Sequence, residues 1–221
     1  MTTVTSRPGP GAPALVTVAH GTRSATGQAQ IRELVARVAR QRPGLDVRLC
    51  YADVQHPRVG DVVPDGVVVP LLLSTGYHVR VDIAGAVAGT PAVVTEPLGP
   101  DDVLRDSLLR HLPAADAVVL AAAGSKDPAW RASIERAGAG LGAHIAYASG
   151  SDRKVADVVA DLRRRGARRV AIAAYLLADG LFYRTLHRAG ADAVTPPLSL
   201  DPAVASLVVR RYDLTMALSR L

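Results

Sequence analysis

The chain contains its own second copy. Ala19-His20-Gly21-Thr22-Arg23 recurs as Ala122-Ala123-Gly124-Ser125-Lys126, and Leu72-Leu73-Ser74-Thr75-Gly76-Tyr77-His78 recurs as Leu176-Leu177-Ala178-Asp179-Gly180-Leu181-Phe182. Val94-Thr95-Glu96-Pro97-Leu98-Gly99-Pro100-Asp101 recurs as Val194-Thr195-Pro196-Pro197-Leu198-Ser199-Leu200-Asp201. Matched positions stand about 100 residues apart each time, the constant offset that a duplicated structural unit imposes. The expected organisation is a loose N-terminal tail over residues 1–13, a first unit over 14–113 and a degenerate second unit over 114–221, joined near Leu112-Pro113-Ala114-Ala115.

Within each copy, short apolar runs alternate with amphipathic stretches. Strands are expected at 14–19, 46–52, 67–72 and 92–94, then at 117–122, 144–148, 169–175 and 191–194. Gln28 to Val38 sets Ile31, Leu34, Val35 and Val38 on one helical face, and Arg153 to Arg165 does the same with Val155, Val158, Val159 and Leu162. Strand–helix–strand alternation implies right-handed crossovers and a parallel sheet covered on both faces. The expected class is α/β, with two tandem four-stranded parallel units and a cleft between them. Apolar residues make up 49% of the chain and aromatics 4%, which suits helices packed on buried strands.

Several function classes drop out. A single cysteine, Cys50, excludes an intramolecular disulfide and a zinc cluster of several cysteines. No apolar run approaches the roughly 20 residues of a membrane span. Met1 to Pro13 lacks a long apolar segment and does not read as a signal peptide, so a soluble cytoplasmic protein is expected. The net charge of +6 invites a nucleic-acid reading, but the dense run Arg163-Arg164-Arg165-Gly166-Ala167-Arg168-Arg169 spans a helix end, where cations favour the dipole. No aromatic residues interleave with it to stack bases, so neither nucleic acid nor membrane is an expected partner. The chain has no phosphate-binding loop, dinucleotide fingerprint or nucleophile elbow, and no organic cofactor is expected.

The two copies share their turn glycines but not their histidines. In an open α/β sheet, ligands bind beyond the carboxyl ends of the strands, where His20 and His78 both lie. Ala123 and Phe182 take their places in the second copy. Two imidazoles facing a cleft can bind a divalent metal or accept protons near neutral pH. Asp53, at the end of the second strand, is likewise lost: its counterpart is Ser149. Its alternative role is to cap the short helix that follows. His56, before Pro57, reads as a surface turn residue. Arg23 and Arg80 could grip the carboxylates of an anionic ligand, or could pair with Asp82 or Glu33.

These residues carry a family resemblance. Ala19-His20-Gly21-Thr22-Arg23, followed by Pro70-Leu71-Leu72-Leu73-Ser74-Thr75-Gly76-Tyr77-His78-Val79-Arg80-Val81-Asp82-Ile83, resembles the class II sirohydrochlorin chelatases, the long, internally duplicated relatives of short homodimeric cobalt chelatases. The resemblance runs from Ala14 to about Leu214. It implies a bilobal chelatase fold and insertion of a divalent metal (Fe2+ or Co2+, with Ni2+ also compatible) into sirohydrochlorin, on the way to sirohaem or cobalamin. It also implies His20 and His78 as the active-site pair and Asp53 as the acidic metal contact, with Asp53 standing where the family commonly has glutamate. His56 replaces a second glutamate often present there.

The chemistry agrees with the residues. Metal insertion removes two pyrrole protons while the metal sheds water, and paired imidazoles near their ordinary pKa are suited to accept them. Arg23, Arg80 and the positive net charge favour capture of a polycarboxylate tetrapyrrole. Thr22, Ser74, Thr75 and Gly76 belong to the same two turns, and Phe182 offers an apolar surface to the macrocycle. The scarcity of aromatics suggests an open cleft rather than a deeply buried macrocycle. Competing readings are a non-catalytic tetrapyrrole or metal carrier and a porphyrin ferrochelatase. A monomer with pseudo-twofold symmetry is expected, because duplication supplies internally what a homodimer supplies by symmetry.

Overall fold

Leu15–Ala19 (β1) is buried along its whole length, and its residues alternate between two cores. Leu15 and Ala19 face one apolar cluster, Val16 and Val18 another. The side-chain period of two makes this possible only for a strand covered on both faces. Thr17, also fully buried, donates its hydroxyl to Arg48 O at 2.8 Å, so no polar atom is stranded there.

The computed structural model describes residues 12–62, 65–74, 76, 78–150 and 152–219, and for residues 78–80 the backbone alone. The rest of the first sheet is Val47–Tyr51 (β2), Val67–Pro70 (β3) and Val93–Val94 (β4), in the order β2-β1-β3-β4. The second sheet repeats it with Ala117–Ala122 (β5), His144–Tyr147 (β6), Val170–Ala174 (β7) and Ala193–Val194 (β8), in the order β6-β5-β7-β8. All pairings are parallel; Leu15 pairs Val47 and Val67, and Ala117 pairs Val170. The expected duplicated α/β architecture is present, and every expected strand is found, trimmed by a residue or two at some ends.

The helices are Ala25–Gln41 (α1), Val59–Val62 (α2), Ala84–Val87 (α3), Asp102–His111 (α4), Pro128–Ala139 (α5), Val155–Arg164 (α6), Leu181–Leu186 (α7) and Pro202–Leu218 (α8). A π-helical turn, His78–Ile83, leads into α3. Ile31 and Leu34 of α1, Leu104 and Leu108 of α4, Ile134 of α5 and Val204, Ala205, Leu207 and Val208 of α8 share one core with inward residues of both sheets. The outer faces have separate cores: Val59 and Ile83 against the first sheet, Val155, Val159 and Leu162 against the second. The two units are therefore joined by a common interior rather than by a linker.

The last helices of the two copies are exchanged in their packing. By sequence α8 closes the second unit, yet it packs against α1 and β3 of the first. Asp101 and Asp201, which match in the repeat, cap α4 and α8 by accepting from Val103 N at 3.0 Å and Ala203 N at 2.9 Å. Asp101 also takes two arginines from the other helix, Arg210 and Arg211, and Asp201 takes one, Arg110.

Residues 1–11 of the expected tail lie outside the described residues. Pro13 is tied down, its carbonyl accepting from Tyr212 Oη at 2.7 Å. Among the described residues, no helix is long and apolar enough to cross a membrane. Part of the arginine-rich run is paired locally. Arg163 pairs with Asp192 at 2.8 Å and Arg164 with Asp161 at 3.1 Å, while Asp116 accepts the amides of Arg168 and Arg169.

Candidate functional site

The carboxyl ends of β1, β3, β5 and β7 open on a single cleft of about 540 Å³ between the two units. Its first-unit wall is residues 19–22 and 71–74 with Gly76; its second-unit wall is residues 122–125 and 175–183 with Trp130 and Ile134. Of the sequence-predicted residues, His20, Thr22, Ser74, Gly76 and Phe182 line this cleft together. Thr75 lies outside the described residues, as do the side chains of His78 and Arg80; the backbone of His78 opens the π-helical turn. Arg23 is exposed, is not among the cleft-lining residues and has no ion pair among the described residues. Glu33, one partner considered for it, is taken by Arg37 and Arg40.

The β1–β2 ladder continues past the strand ends and fixes Asp53 beside His20. Ala52 N donates to Ala19 O at 2.8 Å, and Asp53 N donates to His20 O at 3.0 Å. The second copy keeps this scaffold without the imidazole and the carboxylate: Ala148 N donates to Ala122 O at 2.8 Å and Ser149 N to Ala123 O at 2.9 Å. The glycine after each histidine position adopts the left-handed backbone the turn requires, Gly21 at φ 99° and Gly124 at φ 110°. A Cβ on Gly21 would lie 2.4 Å from Asp53 O, and one on Gly124 would lie 2.6 Å from Ser149 O. The other matched pair of glycines has a different cause. Neither Gly76 nor Gly180 is left-handed; each is a point of close approach across the cleft, Gly76 to the Trp130 ring and Gly180 to Thr22 Oγ1.

Asp53 does not cap α2: the amide of Arg58 is instead taken by Asp61 Oδ2 at 2.9 Å. Its carboxylate accepts from Arg58 Nη1 at 3.0 Å and stays exposed. The backbone amide of Val54, the Arg58 guanidinium and the positive potential of His20 hold its carboxyl below the ordinary value. It is therefore an anion at neutral pH with oxygens open to solvent. His56 is exposed and lies 3.8 Å from Asp61. Among the described residues, no three His, Cys, Asp or Glu side chains stand close enough to hold one ion.

The chain's single Trp and single Phe, Trp130 and Phe182, both line the cleft. Aromatic surface is scarce overall but concentrated here, so the low aromatic content is no argument against an apolar ligand face. Sequence reasoning passed over Trp130 and Asp179. The signal for Asp179 was a charged residue in the second copy where the first has Thr75.

The family model described as CbiX matches the chain twice, over residues 14–115 and 117–215. The chain belongs to the CbiX family. The resemblance to the sirohydrochlorin chelatases in their long, duplicated form, and with it the enzyme class of metal chelatases, is borne out. Solved structures share the fold. SirB from Bacillus subtilis with Fe3+ matches at TM-score 0.77 and 19% identity, over 95% of this chain and 97% of that one. SirB from Bacillus subtilis subspecies spizizenii in complex with cobalt matches at TM-score 0.70 and 17% identity, over 91% and 94%. A CbiX structure described as the terminal enzyme of sirohaem biosynthesis in denitrifying bacteria matches at TM-score 0.67 and 24% identity, over 91% and 98%. Among curated proteins, no relative matches significantly.

Proposed function

We propose that this CbiX-family chain inserts a divalent metal, Fe2+ or Co2+, into sirohydrochlorin, with the reaction centred on the first unit. The observation that carries the reading is the pairing of His20, at the mouth of β1 in the cleft, with the ionised carboxylate of Asp53 fixed beside it by the backbone. The metals in the solved SirB structures, Fe3+ and cobalt, support the metal class.

Insertion exchanges one dication for two protons on the pyrrole nitrogens. His20, together with His78 at the start of the π-helical turn that follows β3, accepts those protons as the metal–nitrogen bonds form. Asp53 offers hard oxygen donors that replace part of the metal's water shell and release it again, since a single carboxylate does not bind a dication irreversibly. Thr22, Ser74 and Gly76 bound the first-unit side of the substrate, and Phe182 presents an apolar face from the second. Arg23 and Arg80 meet the substrate's peripheral carboxylates.

Anaerobic initial rates with Fe2+, Co2+ and Ni2+ on sirohydrochlorin, followed by the absorbance change of the macrocycle, test this. Multiple turnovers with Fe2+ or Co2+ are expected. A single stoichiometric change that stops at one equivalent of protein identifies a carrier instead.

A further inference from the structure

One residue of the second unit is held from across the cleft at three points. Asp179 Oδ1 accepts from Ser24 Oγ at 2.5 Å and from Arg184 Nη2 at 2.8 Å, and Arg184 Nη2 also donates to Ser24 Oγ at 2.8 Å. The Asp179 amide donates to Gln30 Oε1 at 2.7 Å. Its carbonyl lies against Gly27, where a Cβ would come within 2.0 Å of the oxygen. Ser24, Gly27 and Gln30 are spaced three apart at the start of α1, which puts them on one helical face. Ser24 is also the cap of that helix, accepting from Gly27 N at 3.3 Å.

On the other side of the pseudo-twofold the position of Asp179 is taken by Thr75, which lies outside the described residues. At the repeat's spacing Gly27 corresponds to Trp130, whose ring packs on Gly76 with Cδ1 3.2 Å from a Cβ position there. The Trp130–Gly76 contact is apolar; the contact on the His20 side centres on a half-buried carboxylate with two donors, Ser24 and Arg184. Burial opposes ionisation of Asp179, but Ser24 and Arg184 hold its carboxyl below the ordinary value, so the docked form is the anion. Two and three residues beyond Asp179, the start of α7 presents Leu181, 76% exposed, and Phe182, 39% exposed.

We propose that Asp179 is a positioning residue: docked into the first turns of α1, it holds the turn bearing Leu181 and Phe182 across the cleft from His20 and so sets affinity for the tetrapyrrole. The inference rests on the reading of this cleft as the tetrapyrrole site. Asp179 touches neither the metal nor the protons that leave the pyrroles.

The test compares Asp179→Ala, Asp179→Asn and Gly27→Ala with the wild-type protein. Binding of metal-free sirohydrochlorin is read from quenching of the fluorescence of Trp130, the one tryptophan, which lines the cleft. Loss of two charge-assisted hydrogen bonds should weaken that binding, and raise KM for the tetrapyrrole, by about tenfold in Asp179→Ala. KM for metal and kcat should stay within about twofold, the split expected when uniform substrate binding is lost. Asp179→Asn keeps an acceptor for Ser24 and Arg184 and should recover most of the affinity. Gly27→Ala, which displaces the docked carbonyl, should reproduce the Asp179→Ala pattern. In the substrate-free protein, amide exchange in residues 20–24 and 178–183 should accelerate together in Asp179→Ala. Unchanged tetrapyrrole affinity, or an equal fall in kcat and in both affinities, overturns the proposal. If the wild-type protein neither binds nor metallates sirohydrochlorin, the functional reading fails. The exchange data then still decide the docking: coupled acceleration upholds it and unchanged exchange overturns it.

Discussion

Val54 and Gly150 occupy the same place in the two copies of the fold, and both have left-handed backbone, φ 62° and 96°. Each follows the residue whose amide is bonded to the histidine-position carbonyl, Asp53 in one copy and Ser149 in the other. Gly150 adopts this conformation without steric cost, whereas a β-branched valine there is a true outlier. At this matched position the strain therefore sits in the copy that carries His20 and Asp53, next to the carboxylate; the second copy has its own left-handed non-glycine residue four positions after Ser149, Arg153 at φ 47°. A backbone outlier at such a point is a reason to test that position by substitution.

Val54→Gly is expected to stabilise the protein and impair its use of metal. Left-handed strain in a non-glycine residue costs about 1–3 kcal/mol, more than the about 0.5–1 kcal/mol that a glycine costs through chain entropy. A net gain near 1 kcal/mol raises Tm by about 2–4 °C in a chain of this size. KM for the metal should rise as the turn that fixes Asp53 loosens. Calorimetry and initial rates read the two effects; a lower Tm contradicts the strain argument.

His20→Ala and His78→Ala are each expected to lower kcat by about 100-fold or more, the usual contribution of a positioned general base. Ala123 stands at the His20 position in a unit that folds, and His20 is exposed, so the melting temperature of His20→Ala should match wild type. Wild-type turnover in either variant removes that histidine from the reaction.

Asp53→Ala should raise KM for the metal more than KM for the tetrapyrrole. The Asp53 carboxyl lies below its ordinary value in the folded protein, so its charge is complete well below neutrality and is lost only as pH falls through that depressed value. Its contribution to metal capture is therefore constant between about pH 6 and 8, the range in which imidazoles titrate. A pH dependence of metal KM in that range should persist in Asp53→Ala; its disappearance there assigns the titration to the carboxylate instead.

The fold was legible because its signals are local and redundant. Val67-Val68-Val69 and Val118-Val119-Leu120 announce strands buried on both faces, and the matched segments place the second sheet once the first is known. The asymmetric losses at Ala123, Ser149 and Phe182 pointed to His20 and Asp53, which the backbone ladder does bring side by side. What stayed hidden depends on contacts across the pseudo-twofold. Nothing local distinguishes Gly27 as the seat of the Asp179 carbonyl, or α8 as a helix that leaves its own unit. Left-handed backbone at Val54 was unreadable because valine argues against that conformation.

Cys50 should be inert in the native protein. It is fully buried in β2, and burial pushes its thiol up to about 12, so almost no thiolate exists at neutral pH. Iodoacetamide should leave it unmodified under native conditions and label it completely in denaturant, as intact-mass measurement reports. Rapid native labelling contradicts the burial.

Leu207→Ala, a change in the second unit by sequence, should destabilise the first. Leu207, Val204 and Val208 of α8 are buried in the core shared with α1, β1 and β3, and the helix packs on α1 and β3. Removing that side chain costs about 2–5 kcal/mol through lost transfer energy and an unfilled cavity. The ion pairs of Arg210 and Arg211 with Asp101 carry the effect to the cap of α4 as well. Amide exchange should therefore accelerate in Leu15–Ala19 and Val67–Pro70, and truncation before Pro202 should abolish cooperative melting of both units together. Since His20 stands at the end of β1, loss of this helix also removes the support of the turn that carries it. Exchange that accelerates in β5 and β7 while β1 and β3 stay protected contradicts the exchanged packing.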